Sequence, residues 1–480
     1  MDETSSKVKI IAFSPEPERL CASAAGISTT KGTALELYAN NQDPAKAQKL
    51  IKNVLRLGHT TTIEHACFTI AFENVSAFVE QFMIEFRLAS FTVKSRRYVD
   101  FSQMGYYRPE FRFTEAKTEA AKQKIENLYH RHIQKLFSEY EYLAAQGIPR
   151  EDARFLLPYC YRSNFYCTVN ARELHHILYA ALEGRGSRYP ELKKIGLSLW
   201  EQARSIAPAI FETILPESRD DQEERLRAVL GKAGLAPEAA RAGADGFGQS
   251  SCELLAFTEH PERIVATAAL IKHTLCPTAE AVQAVVNNQE LLEQVLAVVC
   301  ENNRKRELEQ VSFTFRINNL SLAGLTHLVR HRMQSICVPS FTEFAINKGC
   351  ILPASIKEQP ALLERYRAIW QEHLRVFAAI AADGVVKEDL VYLYLSGNLV
   401  DVLTTMNGRE LFHFLRLRTC NRAQWEIRAI ACEMLRKLRG VSPALFRRFG
   451  PSCYVLGKCP EGKLSCGQME TVLERFRSLK

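Results

Sequence analysis

Two segments of the chain alternate apolar and polar residues with the period of a half-buried strand. The segments CFTIAFEN and SFTFRINN each carry three apolar side chains on one face, namely Phe68, Ile70 and Phe72 in the former and Phe313, Phe315 and Ile317 in the latter. Each segment is followed directly by a run with the pattern of an amphipathic helix, VSAFVEQFMIEF and LSLAGLTHLVRH. The pattern therefore predicts a strand followed by a helix at two places.

Longer helices are predicted between and after these segments. Pro17 and Pro261 are each followed by glutamate, a pair that suits the first turn of a helix. The runs HRHIQKLFSEYEYLAAQG and ERYRAIWQEHLRVFAAIAADG predict two long helices. Because strands are interspersed with long helices without a regular βαβ rhythm, the expected fold class is α+β.

The elements recur because the sequence itself is repeated. IIAFSPEPERLCASAA (from Ile10) returns as LLAFTEHPERIVATAA (from Leu254), EHACFTIAFENVS as EQVSFTFRINNLS, and NARELHHIL as NGRELFHFL. We therefore predict two tandem copies of one domain. The first covers residues 1–218 and the second 252–450. A charged, Ala- and Gly-rich linker with one or two short helices covers 219–251, and a Cys-bearing tail covers 451–480.

Length and composition are those of a soluble globular protein with two or three domains, at 480 residues and 47% hydrophobic residues. No run is apolar enough to span a bilayer, and MDETSSKVKII lacks the regions of a signal peptide. We therefore expect a cytoplasmic protein without membrane partners. The net charge of +8 suits an anionic substrate such as a nucleotide phosphate, whereas no nucleic-acid recognition motif accompanies it.

The fourteen cysteines do not indicate a disulfide scaffold in a cytoplasmic protein. Cysteines in apolar stretches are expected to be core thiols, among them Cys67, Cys160 and Cys300. The tail segment GPSCYVLGKCPEGKLSCG has no helical or strand period. Its three thiols (Cys453, Cys459 and Cys466) could bind zinc or iron with Cys420 or Cys432, or simply pack as reduced thiols. Because closely spaced CxxC pairs are absent, we favour the second interpretation and predict no metal.

The clearest local signal for chemistry is Arg330-His331-Arg332 at the end of an apolar helix. Leaving three such polar groups beside a buried helix is costly unless they meet water or an anion. Guanidinium groups present planar forks that suit phosphate. The alternative is a solvated helix end whose cations favour the helix dipole.

The wider motif RHRMQSICVPS resembles the RHRxxSxNxxS signature of the flavin-dependent thymidylate synthases. The first copy is similar to the same family through HTTTIEH (from His59), FRLASFTVKSRRYV, GIPREDARFLLP and TVNAREL, and the second also through LRLRTCNRAQWEIR. The resemblance covers most of both copies. It implies two fused domains of the thymidylate synthase-complementing type, each an antiparallel sheet with long helices, in a pseudo-dimeric chain.

The resemblance also implies an activity. Members of the family convert dUMP to dTMP with FAD as cofactor, methylenetetrahydrofolate as carbon donor and NADPH as reductant. Their flavin and nucleotide sites are shared between subunits of a homotetramer, so two fused chains would form a pseudo-tetramer. One subunit supplies the RHR arginine and a late LR arginine, and its partner supplies the serine–arginine end of the signature and an arginine before the LP turn.

The two copies keep complementary shares of this site. The first has Glu85, Phe86 and Arg87 at the RHR positions and Ala181 at the late arginine, but keeps Ser90, Ser95, Arg97 and Arg154. The second keeps Arg330, His331, Arg332, Ser335 and Arg418, but has Thr342 and Val391 where the partner's arginines belong. The resemblance therefore implies one composite nucleotide site, made of Arg330 and Arg418 with Ser95, Arg97 and Arg154, and an inactive reciprocal site.

Roles follow from the same comparison. Arg418 would stabilise negative charge as the uracil N3 ionises, and His327 would contact the substrate. The flavin residues would be His59, Thr61, Glu64, Asn170, Arg172, His176, Arg330, His331, Arg332, Asn407, Arg409 and His413. Helix capping is the structural alternative for the Asn-x-Arg…His set in either copy.

Several positions depart from the family pattern. Val93 and Val338 replace its signature glutamate, Thr92 and Cys337 its asparagine, and His327 a glutamine before RHR. These departures leave two alternatives open. The chain could be a flavoprotein that modifies another pyrimidine nucleotide, or a relative that binds nucleotide or a partner without catalysis.

Overall fold

The computed structural model describes residues 5–214, 222–234, 246–273, 278–344 and 346–479. The chain forms two compact units that divide it differently from the sequence repeat. The first contains residues Met1–Ala240 and Pro353–Ser396, and the second contains Arg241–Leu352 and Gly397–Lys480. Part of the second copy thus belongs to the same unit as the first copy.

The first unit is built on a four-stranded antiparallel sheet. Its strands, in spatial order, are Lys7–Phe13, Cys67–Ser76, Arg162–Asn170 and Ser90–Val93. Phe68, Ile70 and Phe72 are fully buried, as the alternation predicts. The α-helices of this unit are Pro17–Gly26, Ala34–Asn40, Pro44–Arg56, Ala77–Ile84, Glu119–Ala145, Arg150–Ala153, Ala171–Leu182, Pro190–Ile206, Gln222–Lys232, Ala354–Lys357 and Pro360–Ala382.

The second unit repeats the same sheet topology. Its antiparallel strands, in spatial order, are Ser251–Phe257, Ser312–Ser321, Leu399–Asn407 and Gln334–Cys337. Phe313, Phe315 and Ile317 are buried. The α-helices are Pro261–His273, Ala279–Asn287, Gln289–Glu301, Leu322–Leu328, Gly408–Arg418, Trp425–Val441, Pro443–Phe446, Ser452–Leu456 and Met469–Ser478. The predicted α+β class and the duplicated sheet are confirmed.

The two helices that follow the central strands are not amphipathic, so that expectation is wrong. All eight residues of Ala77–Ile84 are buried, including Glu80 and Gln81. In Leu322–Leu328 every residue except His327 is buried. The polar residues that suggested a solvated face lie inside the protein, where they need hydrogen-bonding partners.

Within the first unit, equivalent parts of the two copies contact each other. Helix Pro360–Ala382 of the second copy packs against helix Glu119–Ala145 of the first. The peptide N–H of Tyr159 donates to the oxygen of Tyr394 at 2.7 Å, and that of Ser396 donates to the oxygen of Leu157 at 2.9 Å. Tyr159 and Leu157 of the first copy correspond to Ser396 and Tyr394 of the second. The two hydrogen bonds are therefore equivalent when the copies are exchanged, as in an isologous dimer.

A buried histidine pair lies on these two helices. The ring nitrogens of His132 and His373 are 2.9 Å apart, and the rings stack with centroids 5.2 Å apart. Burial lowers the pKa of His132 from its ordinary 6.5 to about 4, and burial together with His132 lowers the pKa of His373. The folded chain therefore disfavours the charged form of both rings.

This pair predicts acid lability. Between pH 6.5 and 4 the unfolded chain binds protons that the folded chain does not, so stability present above pH 6.5 is lost as the pH falls. We expect His132 alone to lower the free energy of unfolding by about 2 kcal/mol between pH 7 and pH 5. Urea denaturation at both pH values measures this, and His132→Asn should reduce the difference. The control is His65→Asn, at an exposed histidine. An equal reduction of the pH dependence in that variant would contradict the attribution of the acid lability to His132.

Other expectations have mixed outcomes. Cys160 and Cys300 are buried, and burial raises the pKa of each thiol to about 12, whereas Cys67 is exposed because it precedes Phe68 in the strand alternation. The tail contains a short helix, Ser452–Leu456, too brief to show a period in sequence. The linker contains Gln222–Lys232, as predicted, and its residues 219–221 and 235–245 lie outside the described ranges.

The structure also bears on membrane association. In the part of the chain that the structure describes, no helix combines the length and the apolar character needed to cross a bilayer.

Candidate functional site

In the second unit, the arginine–histidine–arginine motif follows directly after the buried helix Leu322–Leu328. His331 is buried, and its Nδ1 lies 3.0 Å from Oε1 of Glu410. Arg418 donates from Nε to Nε2 of His331 at 2.9 Å and from Nη2 to the backbone oxygen of His327 at 3.2 Å. The motif histidine and the late arginine, far apart in sequence, are therefore brought together.

The helix Gly408–Arg418 positions these groups. Asn407 caps its N-terminus, where the side-chain oxygen accepts from the peptide N–H of Glu410 at 2.8 Å, and the helix ends at Arg418. Burial lowers the pKa of His331, and Arg418 acts in the same direction, while the hydrogen bond with Glu410 opposes both. His331 is accordingly a neutral imidazole at neutral pH.

The remaining predicted residues of the second copy lie at the surface of its unit. Exposed side chains are those of Arg330, Arg332, Ser335, Arg409 and His413, and His327 is half-buried. Arg409 pairs with Glu309. Thr342 shares a hydrogen bond with Ser340 at 3.1 Å. Exposed guanidinium groups present planar forks that an anion from solution can reach.

In the first unit, Arg97 and Arg154 meet at one acidic residue. Nε of Arg97 lies 2.6 Å from Oε2 of Glu151, and Nε of Arg154 donates to the backbone oxygen of Glu151 at 3.1 Å. The hydroxyl of Ser95 accepts from the peptide N–H of Arg97 at 3.3 Å. The structure therefore brings Ser95, Arg97 and Arg154 into one cluster.

Arg154 is a buried cation, only 3% exposed. Burial and the neighbouring Arg96 lower its pKa to about 10, and Arg97 acts in the same direction. Among these described groups, three guanidinium groups face the carboxylates of Glu80 and Glu151. Three cationic side chains are thus gathered in one place, and the repulsion of Arg96 and Arg97 acts on Arg154.

Arg96 is a residue that the motif comparison missed. It is buried and donates from Nη2 to Oε1 of Glu80 at 2.6 Å, and it also contacts the Tyr161 hydroxyl. Glu80, 1% exposed, accepts in addition from Ser163. The available signal was the SRR run in sequence, together with a glutamate in an apolar helix. Arg96 anchors the segment that carries Ser95 and Arg97.

Breaking this pair should destabilise the first unit. Arg96→Met leaves the Glu80 carboxylate buried without its cation, which costs about 3 kcal/mol of unfolding free energy. The double variant Arg96→Met/Glu80→Leu should recover most of the loss, since the charge is then removed. Urea denaturation of Arg96→Met, Glu80→Leu, the double variant and the parent measures the coupling. A loss below about 1 kcal/mol for Arg96→Met would show that the pair is not a structural anchor.

The first copy's counterpart of the RHR motif is built differently. Glu85 pairs with Arg185 at 2.7 Å and accepts from the Gln81 amide at 3.2 Å. Phe86 packs edge-on to Phe82 with ring centroids 5.6 Å apart. Ala181, at the late arginine position, is buried. A carboxylate and an aromatic ring thus stand where the second copy has Arg330 and His331.

The first-copy flavin candidates are partly engaged in local structure. The side-chain oxygen of Asn170 accepts from the peptide N–H of Glu173 at 2.9 Å and so caps the helix Ala171–Leu182. Nδ1 of His176 lies 3.0 Å from Oε2 of Glu173, and Arg172 pairs with Glu64 at 2.6 Å. The capping alternative is therefore observed for both asparagines. His59 and Thr61 are exposed in and beside the 3-10 turn Thr60–His65.

The departures from the family pattern occupy short strands. Thr92 and Val93 belong to Ser90–Val93, and Cys337 ends Gln334–Cys337 and is exposed. Val391 is buried in the 3-10 turn Asp389–Leu393. Within the described ranges, no three histidine, cysteine or acidic side chains are arranged to hold a metal ion.

Comparison with known proteins gives the family. The profile described as thymidylate synthase complementing protein matches residues 9–209 and 253–444. A flavin-dependent thymidylate synthase of Geobacter sulfurreducens is 36% identical over 238 residues, covering 47% of this chain and 97% of the relative. One of Clostridium tetani is 33% identical over 236 residues, covering 45% and 92%.

Among solved structures, the UMP/dUMP methylase PolB of Streptomyces cacaoi, bound with 5-Br dUMP, matches 44% of this chain and 94% of its own. The identity is 22% and the TM-score 0.36. The family profile matches each copy separately. Each relative aligns over nearly its whole length, yet covers only about half of this chain. The chain therefore belongs to the flavin-dependent thymidylate synthase family, as two fused copies of its domain.

Proposed function

We propose that this enzyme methylates dUMP to dTMP at a composite site, with FAD as cofactor, methylenetetrahydrofolate as carbon donor and NADPH as reductant. Arg330 and Arg418 of the second copy would act with Ser95, Arg97 and Arg154 of the first. Relatives that bear the name flavin-dependent thymidylate synthase support the reaction. The division of arginines between the copies supports the composite site.

The observation that carries the proposal is the fixed position of Arg418. Its guanidinium donates to the His331 ring at 2.9 Å and to the His327 oxygen at 3.2 Å, so its plane is set before substrate binds. A preorganised cation stabilises charge that develops during reaction without reorganising. Arg418 would stabilise the uracil ring as N3 loses its proton, which makes C5 more nucleophilic.

The first copy would bind the nucleotide phosphate. Its cluster gathers the guanidinium groups of Arg96, Arg97 and Arg154, and Arg154 is already desolvated. A phosphate there would accept charge-assisted hydrogen bonds. Arg97 would exchange its contact with Glu151 for one with the phosphate. Ser95 has no adjacent base among these contacts, so we assign it binding and not nucleophilic attack.

The donor set also fits FAD. Arg330, Arg332 and Arg409 expose guanidinium groups suited to a pyrophosphate. His59, Thr61, Glu64 and Arg172 offer polar contacts for the ribose and adenine. His413, Asn170, Asn407 and His176 complete the candidate set, with both asparagines also capping helices. When bound, the flavin supplies the electron transfer that the side chains themselves cannot perform.

The test is dTMP formation coupled to NADPH oxidation by the purified full chain, with dUMP, UMP and dCMP compared at equal concentration. Bound flavin absorbance and dTMP formed only from dUMP with the folate would support the proposal. Turnover on another pyrimidine instead would favour an altered base specificity at Thr92, Val93 and His327. A chain without flavin and without stabilisation by dUMP would favour a non-catalytic relative.

The enzyme is further expected to assemble from two fused chains as a pseudo-tetramer. Two hydrogen bonds that exchange places when the copies are exchanged, Tyr159 to Tyr394 and Ser396 to Leu157, support a subunit-like association of the copies. Light scattering of the purified protein tests the expectation, which a monomeric mass of 54.4 kDa would contradict.

A further inference from the structure

We propose that Glu410 is a positioning residue for Arg418 and acts through His331. The three side chains form a continuous chain of hydrogen bonds within the second unit, 3.0 Å from Glu410 to His331 and 2.9 Å from His331 to Arg418. The proposal rests on the proposed function, which gives Arg418 its role in the reaction.

The chemistry of the donors sets the direction of both bonds. A guanidinium Nε–H can only donate, so Nε2 of His331 must be the ring nitrogen that lacks a proton. Nδ1 then carries the proton and donates it to Oε1 of Glu410. The Glu410 carboxylate can only accept, and it therefore selects the one tautomer that can receive Arg418.

Burial makes this selection effective. The side chains of His331 and Glu410 are only 3% and 7% exposed, so water competes little for their hydrogen bonds. The Glu410 backbone is fixed as well, since its N–H donates to the capping Asn407. The Glu410 carboxylate therefore has a fixed position on the helix that ends at Arg418.

The first copy provides an internal comparison. Glu173 corresponds to Glu410, but Phe86 and Ala181 stand where His331 and Arg418 would be. Glu173 instead accepts from the Leu88 N–H at 3.3 Å and contacts His176 at 3.0 Å. Glu173 therefore occupies the corresponding position without orienting an arginine. Glu173→Gln is a matched control for Glu410→Gln, because both substitutions lie in the same turn of equivalent helices.

The test compares Glu410→Leu, Glu410→Gln and Glu173→Gln in the full chain. Glu410→Leu should lower kcat for dTMP formation about 10- to 100-fold while the Kd for dUMP, measured by calorimetry, changes less than about twofold. Glu410→Gln should lose less, because its amide oxygen can still accept from Nδ1. Glu173→Gln should retain kcat. Melting temperature and flavin content verify that each variant is folded.

The pH profile adds a readout that a merely structural role would not move. Among the described residues, the charged or titratable groups that act most on the pKa of His331 are Glu410, Arg418 and His413. Loss of the Glu410 charge should move the acid limb of kcat to lower pH, since the carboxylate favours protonated His331. If Glu410→Leu keeps full kcat while Arg418→Ala is inactive, the positioning role of Glu410 is overturned and the proposed function is not. Full activity in Arg418→Ala would overturn the proposed function.

Discussion

Replacement of Arg418 by alanine should lower kcat for dTMP formation by about 100- to 1,000-fold, the effect of removing one preorganised donor from a developing anion. The guanidinium is held by His331 and by the His327 backbone, so its loss removes a fixed charge that solvent does not replace. Dissociation of dUMP should change much less. Single-turnover formation of dTMP measures the chemical step directly.

The matched control is Arg416→Ala, two residues earlier on the same helix. Arg416 lies over the ring of Phe412 at 5.8 Å and belongs to neither predicted binding set. It should retain kcat within about twofold, because no reacting group depends on it. Arg418→Lys should recover part of the activity, since it restores the charge but not the planar fork. Equal losses at positions 416 and 418 would mean that the helix end, and not the Arg418 guanidinium, matters.

Much of the fold could be predicted from sequence because burial follows the strand period. Phe68, Ile70 and Phe72 alternate with polar residues and are buried together. The same logic misjudged Ala77–Ile84, since Glu80 and Gln81 resemble a solvated face until their buried partners are known. The periodicity of a sequence shows where polar residues occur. It does not show that residues distant in sequence, here Arg96 and Ser163, provide hydrogen bonds to the buried Glu80.

Sequence likewise predicted only some residues of the candidate site. Motif comparison predicted Arg97, Arg154, His331 and Arg418 as site residues, because they lie in short motifs. It did not identify Glu410, because a glutamate in a helix of a repeated segment gives no sign that it faces a histidine 79 residues earlier. The duplication gives no help either, since Glu173 is kept in the first copy although the histidine and the arginine are lost. Only the geometry distinguishes the two glutamates.

The proposed composite site leads to a complementation experiment with a clear expected result. Arg97→Ala and Arg418→Ala damage different copies, so each full-length variant should lose activity by itself. If one chain supplies both halves of its own site, every site in a mixture of the two variants still lacks one arginine, and the mixture should stay inactive. Sites formed between chains would instead recover about a quarter of the parent activity after subunit exchange.

We expect the mixture of the two variants to stay inactive, because each chain would supply both halves of its own site. Helix Pro360–Ala382 of the second copy packs with Glu119–Ala145 of the first inside one compact unit, so the copies of one chain are already associated. A linker also favours pairing within a chain, because it raises the effective concentration of one copy near the other. The control mixes the parent with Arg418→Ala and refolds both from urea, which verifies that exchange preserves active protein. Recovery of activity in the mixture of variants would show that the site forms between chains, and full activity of either variant alone would exclude that residue from it.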